Sequence, residues 1–161
     1  MKKVIVIGCP GSGKSTFARS LSEATGLPLY YLDMMYWNAD RTQVEKSVFR
    51  ARLAEAMAHN CWIIDGNYGS TMALRLEAAD TVFFLDYPLE VCLAGIRQRQ
   101  GKPRPDMPWI EQSEDKEFIE FIKGYERDSR PHVIELLEAN PHKEIHVFRS
   151  REKAAAFLQT L

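Results

Sequence analysis

The sequence predicts an α/β domain of three layers, a five-stranded parallel sheet with helices on both faces. Three observations carry this. Short runs rich in β-branched and aromatic residues alternate with stretches of helical periodicity. Several of those runs are apolar throughout, as strands buried on both faces are. The first run also passes through a glycine-rich turn directly into a helix, the opening of a βαβ unit. A chain of 161 residues has room for one domain with a substantial core, not two, so residues 1–161 are read as a single unit.

The first strand is Lys2-Lys3-Val4-Ile5-Val6-Ile7. Phe17, Leu21 and Ala24 mark one face of the helix that follows, and Gly26 ends it. Leu27–Leu32 reads as the second strand, ending at Asp33, with Met34–Asp40 as an aromatic-rich connection. Thr42-x-x-Glu45 reads as a capping box, and Val44, Val48, Leu53 and Met57 carry a helix to about His59. Cys61–Asp65 is the third strand, broken by Gly66, and a short helix spans about Ser70–Ala78.

Thr81–Leu85 is the fourth strand, ending at Asp86, and Pro88 suits a helical first turn. Leu89, Cys92, Leu93 and Ile96 are the stripe of a helix running to about Gln100. Residues 101–109 hold too many prolines for a regular element and form the one candidate for a mobile lid. Phe118, Ile119, Ile122 and Tyr125 place a helix from about Ser113 to Arg127, so the lid region covers about residues 98–126. A helix opening at Ser129 or Arg130 tolerates Pro131 in its first turn; Ile145–Phe148 is the fifth strand, and Ser150 opens the last helix.

The turn after the first strand is Gly8-Cys9-Pro10-Gly11-Ser12-Gly13-Lys14-Ser15, followed by Thr16. This is the Walker A spacing, glycine, four residues, then glycine-lysine-serine. Gly8, Gly11 and Gly13 let the backbone curl so that its amides surround a phosphate. Lys14 is placed to reach β- and γ-phosphate oxygens, and the Ser15 hydroxyl to ligate Mg²⁺. The helix N-terminus adds its own positive field. A Rossmann dinucleotide site is the nearest alternative, with Asp33 at a suitable distance, but its glycine spacing differs and it has no use for Lys14-Ser15. The expected fold is therefore that of a P-loop NTPase.

Composition narrows the function classes. A net charge of −1 argues against nonspecific nucleic-acid binding by the chain as a whole. No apolar run approaches a membrane span, and the first is too short for a secretory signal, so a cytoplasmic location is expected. Cys9, Cys61 and Cys92 are odd in number and widely spaced, which fits reduced thiols, the last two buried. The four histidines lack ligand spacing.

Three strands end in aspartate, where an open parallel sheet binds its ligands. Asp65 is the first choice to hold Mg²⁺ or its waters beside Ser15, and Asp86 is the alternative, since choosing between them requires the strand order. Asp33 is the candidate general base for a substrate hydroxyl.

The Walker stretch, Ile64-Asp65-Gly66, Leu85-Asp86-Tyr87-Pro88 and a helix bearing Arg97 and Arg99 before the lid together resemble adenylate-kinase-like P-loop kinases. Leu27-Pro28-Leu29-Tyr30, Trp62–Tyr68, Arg104–Pro108 and Phe148–Arg151 resemble a narrower group, the bacterial DNA topology modulation proteins of FlaR-like type. The resemblance implies strand order 2-3-1-4-5, with Asp65 beside the phosphate loop. It implies ATP·Mg²⁺ as donor and arginines around the moving phosphoryl group: Arg97 and Arg99 before the lid, Arg127 and Arg130 after it. Arg149-Ser150-Arg151 resembles the adenine-side loop.

On the acceptor side the chain departs from adenylate kinases. Asn67-Tyr68-Gly69 stands where they carry an aromatic, a proline and an arginine, and Asp33 stands near their other acceptor arginine. Hydroxyl-phosphorylating kinases of the shikimate and gluconate type are more similar there. Tyr30, Tyr31, Tyr36, Trp37 and Tyr68 offer an aromatic wall for the acceptor. The expected function is an ATP·Mg²⁺-dependent kinase of a small hydroxyl-bearing molecule, as a monomer or homodimer without nucleic-acid or membrane partners. The alternative is a nucleotide-binding regulator acting on DNA, motivated by Arg97, Arg99, Lys102 and Arg104.

Overall fold

Val4–Ile7 and Ile63–Ile64 are fully buried, because each of their strands is flanked by strands and covered on both faces. The computed structural model describes residues 1–161. Its first half comprises β1 (Lys3–Gly8), α1 (Lys14–Thr25), β2 (Leu29–Tyr31), α2 (Leu32–Tyr36), α3 (Lys46–Met57) and β3 (Trp62–Asp65). There follow α4 (Gly69–Ala78), β4 (Thr81–Leu85), α5 (Leu89–Arg99), α6 (Lys116–Asp128), α7 (Arg130–Glu138), β5 (Glu144–Phe148) and α8 (Arg151–Leu158). All strands pair in parallel, in the order β2-β3-β1-β4-β5, as expected.

Alternation along the central strands divides the core in two. Val4, Val6, Ile63, Phe83 and Leu85 face α1, α5, α6 and α8 through Phe17, Leu21, Ile96, Ile122 and Ala154. Ile5, Ile7, Ile64, Val82 and Phe84 face the other way, onto Leu32, Leu53, Leu76 and Val133 of α2, α3, α4 and α7. Because the strands are parallel, the phosphate loop after β1, Asp65 at the end of β3 and Asp86 just after β4 lie at the carboxyl ends of the strands.

Several boundaries depart from the sequence reading. Asp33 does not end a strand: β2 is three residues long, and Asp33 lies in the first turn of α2. Leu32 and Met35 are both buried, and that three-residue spacing favours a helical turn over an extended run. The capping box at Thr42 does not form. Asp40 Oδ1 takes the Thr42 amide and hydroxyl at 3.0 and 2.5 Å, and α3 starts later without a side-chain cap. This is the local Asx-type competition that draws Thr away from helix capping. The helix placed from about Ser113 starts at Lys116, where Asp115 caps α6 by accepting from the amides of Glu117 and Phe118. Cys61 is only half-buried, whereas Cys9 and Cys92 are buried. No helix is long and apolar enough to cross a membrane.

Candidate active site

Gly11 and Gly13 have φ of 83° and 94°, which side chains resist. Space forbids one at Gly11 as well, because a Cβ there would lie 2.0 Å from the Cys92 carbonyl oxygen of α5. The loop is thus pressed onto α5 as bare backbone. Gly11→Ala combines strain and clash and should destabilise the fold by at least about 2 kcal/mol, read as a lowered midpoint in urea. Arg151 pins the loop from the other side, its Nη2 donating to the Gly11 carbonyl at 3.2 Å. The neighbouring Cys92 thiol together with burial pushes the Cys9 pKa up. The helix N-terminus therefore does not activate it.

Ser15 lies in the first turn of α1, its Oγ donating to Asp65 Oδ2 at 2.5 Å. Parallel pairing of β3 with β1 places the carboxylate there, with Asp65 opposite Val6. Asp65 is 4% exposed, and its Oδ1 has no partner. Burial pushes its pKa up to about 6, against the opposing pull of Lys14 and the Ser15 hydrogen bond. Lys14 Nζ lies over the loop, 3.5 Å from the Cys9 carbonyl oxygen.

Asp86, the alternative to Asp65, is engaged otherwise. Arg130 grips it with two bonds of 2.8 Å, and Arg149 Nη1 approaches its Oδ2 at 3.1 Å. Sequence could not separate the two aspartates because both follow apolar runs. Both strands flank β1, so strand order alone does not separate them; the side-chain contacts do, and it is Asp65 that meets Ser15.

The segment after β3 ties the phosphate loop to Asp33. Asn67 holds Gly8 on both sides, accepting from its amide at 3.1 Å and donating to its carbonyl at 2.6 Å. Tyr68, at a positive φ of 35°, donates its hydroxyl to Asp33 Oδ1 at 2.5 Å. Burial pushes the Asp33 pKa up, with Tyr68 and Lys14 pulling the other way. Beneath them lies Arg75, 0% exposed, whose guanidinium donates to the carbonyls of Gly66, Asn67 and Tyr68 and to Thr71 Oγ1. Burial lowers its pKa to about 10. Arg75→Met should cost about 3 kcal/mol of stability, because several buried carbonyls lose their donor, and thermal unfolding would register it. Nothing in the periodicity of α4 marks this residue; only an arginine on the apolar face of a short helix could have drawn notice.

Lys14, Ser15, Asp33, Asp65, Tyr68 and Arg99 line a single cavity of about 930 Å³ together with Pro10. The remaining arginines do not converge there. Arg97 is 66% exposed and pairs with Glu114, Arg127 is 82% exposed and pairs with its neighbour Asp128, and Arg130 and Arg149 hold Asp86. Thr16 is exposed and accepts from Arg19, and the Ser12 side chain is buried without a partner. The basic cluster before the lid is neutralised locally: Arg99 and Arg104 pair with Glu111 and Asp106. Trp37 and Trp109 meet edge to face with centroids 5.1 Å apart, joining the segment after α2 to the loop before α6.

Comparison with known proteins bears on the fold. The chain is similar to shikimate kinase from Acinetobacter baumannii, solved in complex with shikimate, at a TM-score of 0.64 and 18% identity over 99% of this chain and 92% of that one. It shares the shikimate kinase fold. Shikimate kinase from Bacteroides thetaiotaomicron gives a TM-score of 0.58 at 16% identity, covering 98% of this chain and 94% of that one. No family model matches the sequence, and no curated relative does. At such identities the likeness concerns the path of the chain, and the chemistry rests on the side chains above.

Proposed function

We propose that the protein is a phosphotransferase that moves the γ-phosphoryl group of ATP·Mg²⁺ to the hydroxyl of a small molecule. The observation that carries this is one cavity holding the Lys14-Ser15-Asp65 set together with the half-buried Asp33 carboxylate. The amides of the phosphate loop and Lys14 hold the triphosphate, and Ser15 and Asp65 hold the ion or its waters. The donor set fits a hard cation: a hydroxyl and a buried carboxylate with one oxygen, Oδ1, unpartnered. Nowhere do three or more His, Cys, Asp or Glu side chains converge as ligands, so Ser15 and Asp65 are the side chains that would hold the ion. Bound there, Mg²⁺ supplies charge neutralisation on the phosphate oxygens.

Asp33 does the proton chemistry. Tyr68 occupies Oδ1, so Oδ2 is the oxygen that takes the acceptor's proton as its hydroxyl oxygen bonds to phosphorus and the diphosphate leaves. Arg99 lines the cavity; Arg97, Arg127 and Arg130 join the transferred group only by exchanging their present carboxylate partners. Arg149 flanks the nucleotide from beyond β5. Within these kinases, the motifs at Trp62–Tyr68 and Arg104–Pro108 favour the FlaR-like group.

A DNA-acting role finds less support, because the arginines before the lid are paired with carboxylates. The test is a metabolite mixture incubated with protein and ATP, analysed for phosphorylated products. Product should form with Mg²⁺ and vanish with a chelator. Failure to bind either ATP or GTP by calorimetry in the presence of Mg²⁺ would end this reading.

A further inference from the structure

The charged side chains lining the cavity are unequally paired. Four cationic side chains line it, Lys14, Arg41, Arg99 and Arg104, against seven carboxylates. The cations are committed. Arg99 Nε and Nη2 donate to Glu111 at 2.9 and 3.1 Å, and Arg104 donates to Asp106 at 3.1 Å and to Glu111 at 3.4 Å. Asp106 is itself buried, with Arg19 Nη1 at 3.6 Å from its other oxygen. Arg41 reaches the Ile110 carbonyl, and Lys14 lies on the phosphate loop. Asp33, by contrast, is paired with no cation and accepts only from the neutral Tyr68 hydroxyl.

Two further observations point to the ligand. Tyr125 lines the cavity with its hydroxyl buried and unpartnered, a neutral donor and acceptor aimed at a polar group. Trp37, Trp109 and Tyr68 supply aromatic faces nearby, which accept apolar rings and cations. An incoming carboxylate or phosphate would find Arg99 and Arg104 already bonded to carboxylates and Arg41 to a backbone carbonyl, and would approach Asp33 with like charge. Both cost affinity.

Resting on the kinase reading above, we propose that the acceptor carries no anionic group. It is a neutral or amine-bearing hydroxyl compound, and Glu111, by holding Arg99 and Arg104, is what excludes hydroxy acids and phosphorylated acceptors.

Two measurements test it. Calorimetry on the full chain, loaded with Mg²⁺ and a non-hydrolysable ATP analogue, would compare shikimate with its methyl ester, on the native protein and on Glu111→Gln. The native protein should bind the ester at least as well as the acid. Glu111→Gln should gain about tenfold in affinity for the acid, because it frees the forked donors. Tighter binding of the acid by the native protein, or no gain in the variant, overturns the proposal. In turnover, matched pairs (nucleoside against nucleoside monophosphate, hydroxy ester or amino alcohol against hydroxy acid) should show kcat/KM favouring the non-anionic member by about tenfold or more. The reverse preference overturns it. Absence of turnover with every compound would strike the kinase reading instead, and the binding comparison would still decide the charge preference.

Discussion

Lys14→Ala is expected to lower phosphoryl transfer by about a thousandfold or more, a loss of ~4 kcal/mol of transition-state stabilisation. The ammonium is held by one long contact, 3.5 Å to the Cys9 carbonyl oxygen, so little opposes its swing onto a phosphate oxygen. It also lowers the pKa of both Asp65 and Asp33. Its removal therefore takes a cation from the transferring group and makes both carboxylates harder to ionise. The fold should survive, because Lys14 is only half-buried and packs in neither core. Steady-state kinetics beside a thermal melt would check this. Activity within tenfold of the native protein, with the fold intact, would remove the phosphate loop from the chemistry.

The loop and its strand were legible in the sequence because their determinants are local: consecutive β-branched residues, glycine spacing, and Lys14-Ser15 at the helix start. The choice between Asp65 and Asp86 was not, since both follow strands that flank β1 and only the long-range contacts, Ser15 on Asp65 and Arg130 and Arg149 on Asp86, tell them apart. Asn67 and Tyr68 were visible as departures from adenylate kinases, but their roles arise from contacts across long stretches of chain, to Gly8 and to Asp33. Arg75 was hidden altogether, because its partners are backbone carbonyls that carry no sequence signal. The arginine-rich lid flank read as basic until folding brought Glu111 and Asp106 against it. At Thr42 a local rule failed because Asp40, two residues earlier, competed for the same hydroxyl.

Asp33→Asn should reduce kcat by about a hundredfold to ten-thousandfold, the range for a positioned general base. Affinity for ATP should stay within about twofold, since Asp33 bonds only Tyr68 and no group of the phosphate loop. The pH profile separates this role from a steric one. A base works deprotonated, so the rate falls as pH drops through its pKa. Burial raises that pKa, the Tyr68 hydrogen bond and Lys14 opposing it, so the acid limb of kcat should lie above the range of an ordinary aspartate. Asp33→Asn should flatten that limb, because no titrating base remains. Tyr68→Phe removes the donor that stabilises the charged carboxylate and should move the limb further toward neutral pH, with a smaller loss of rate at high pH. An Asp33→Asn protein retaining native turnover, or an acid limb that Tyr68→Phe leaves in place, would assign proton removal to another group.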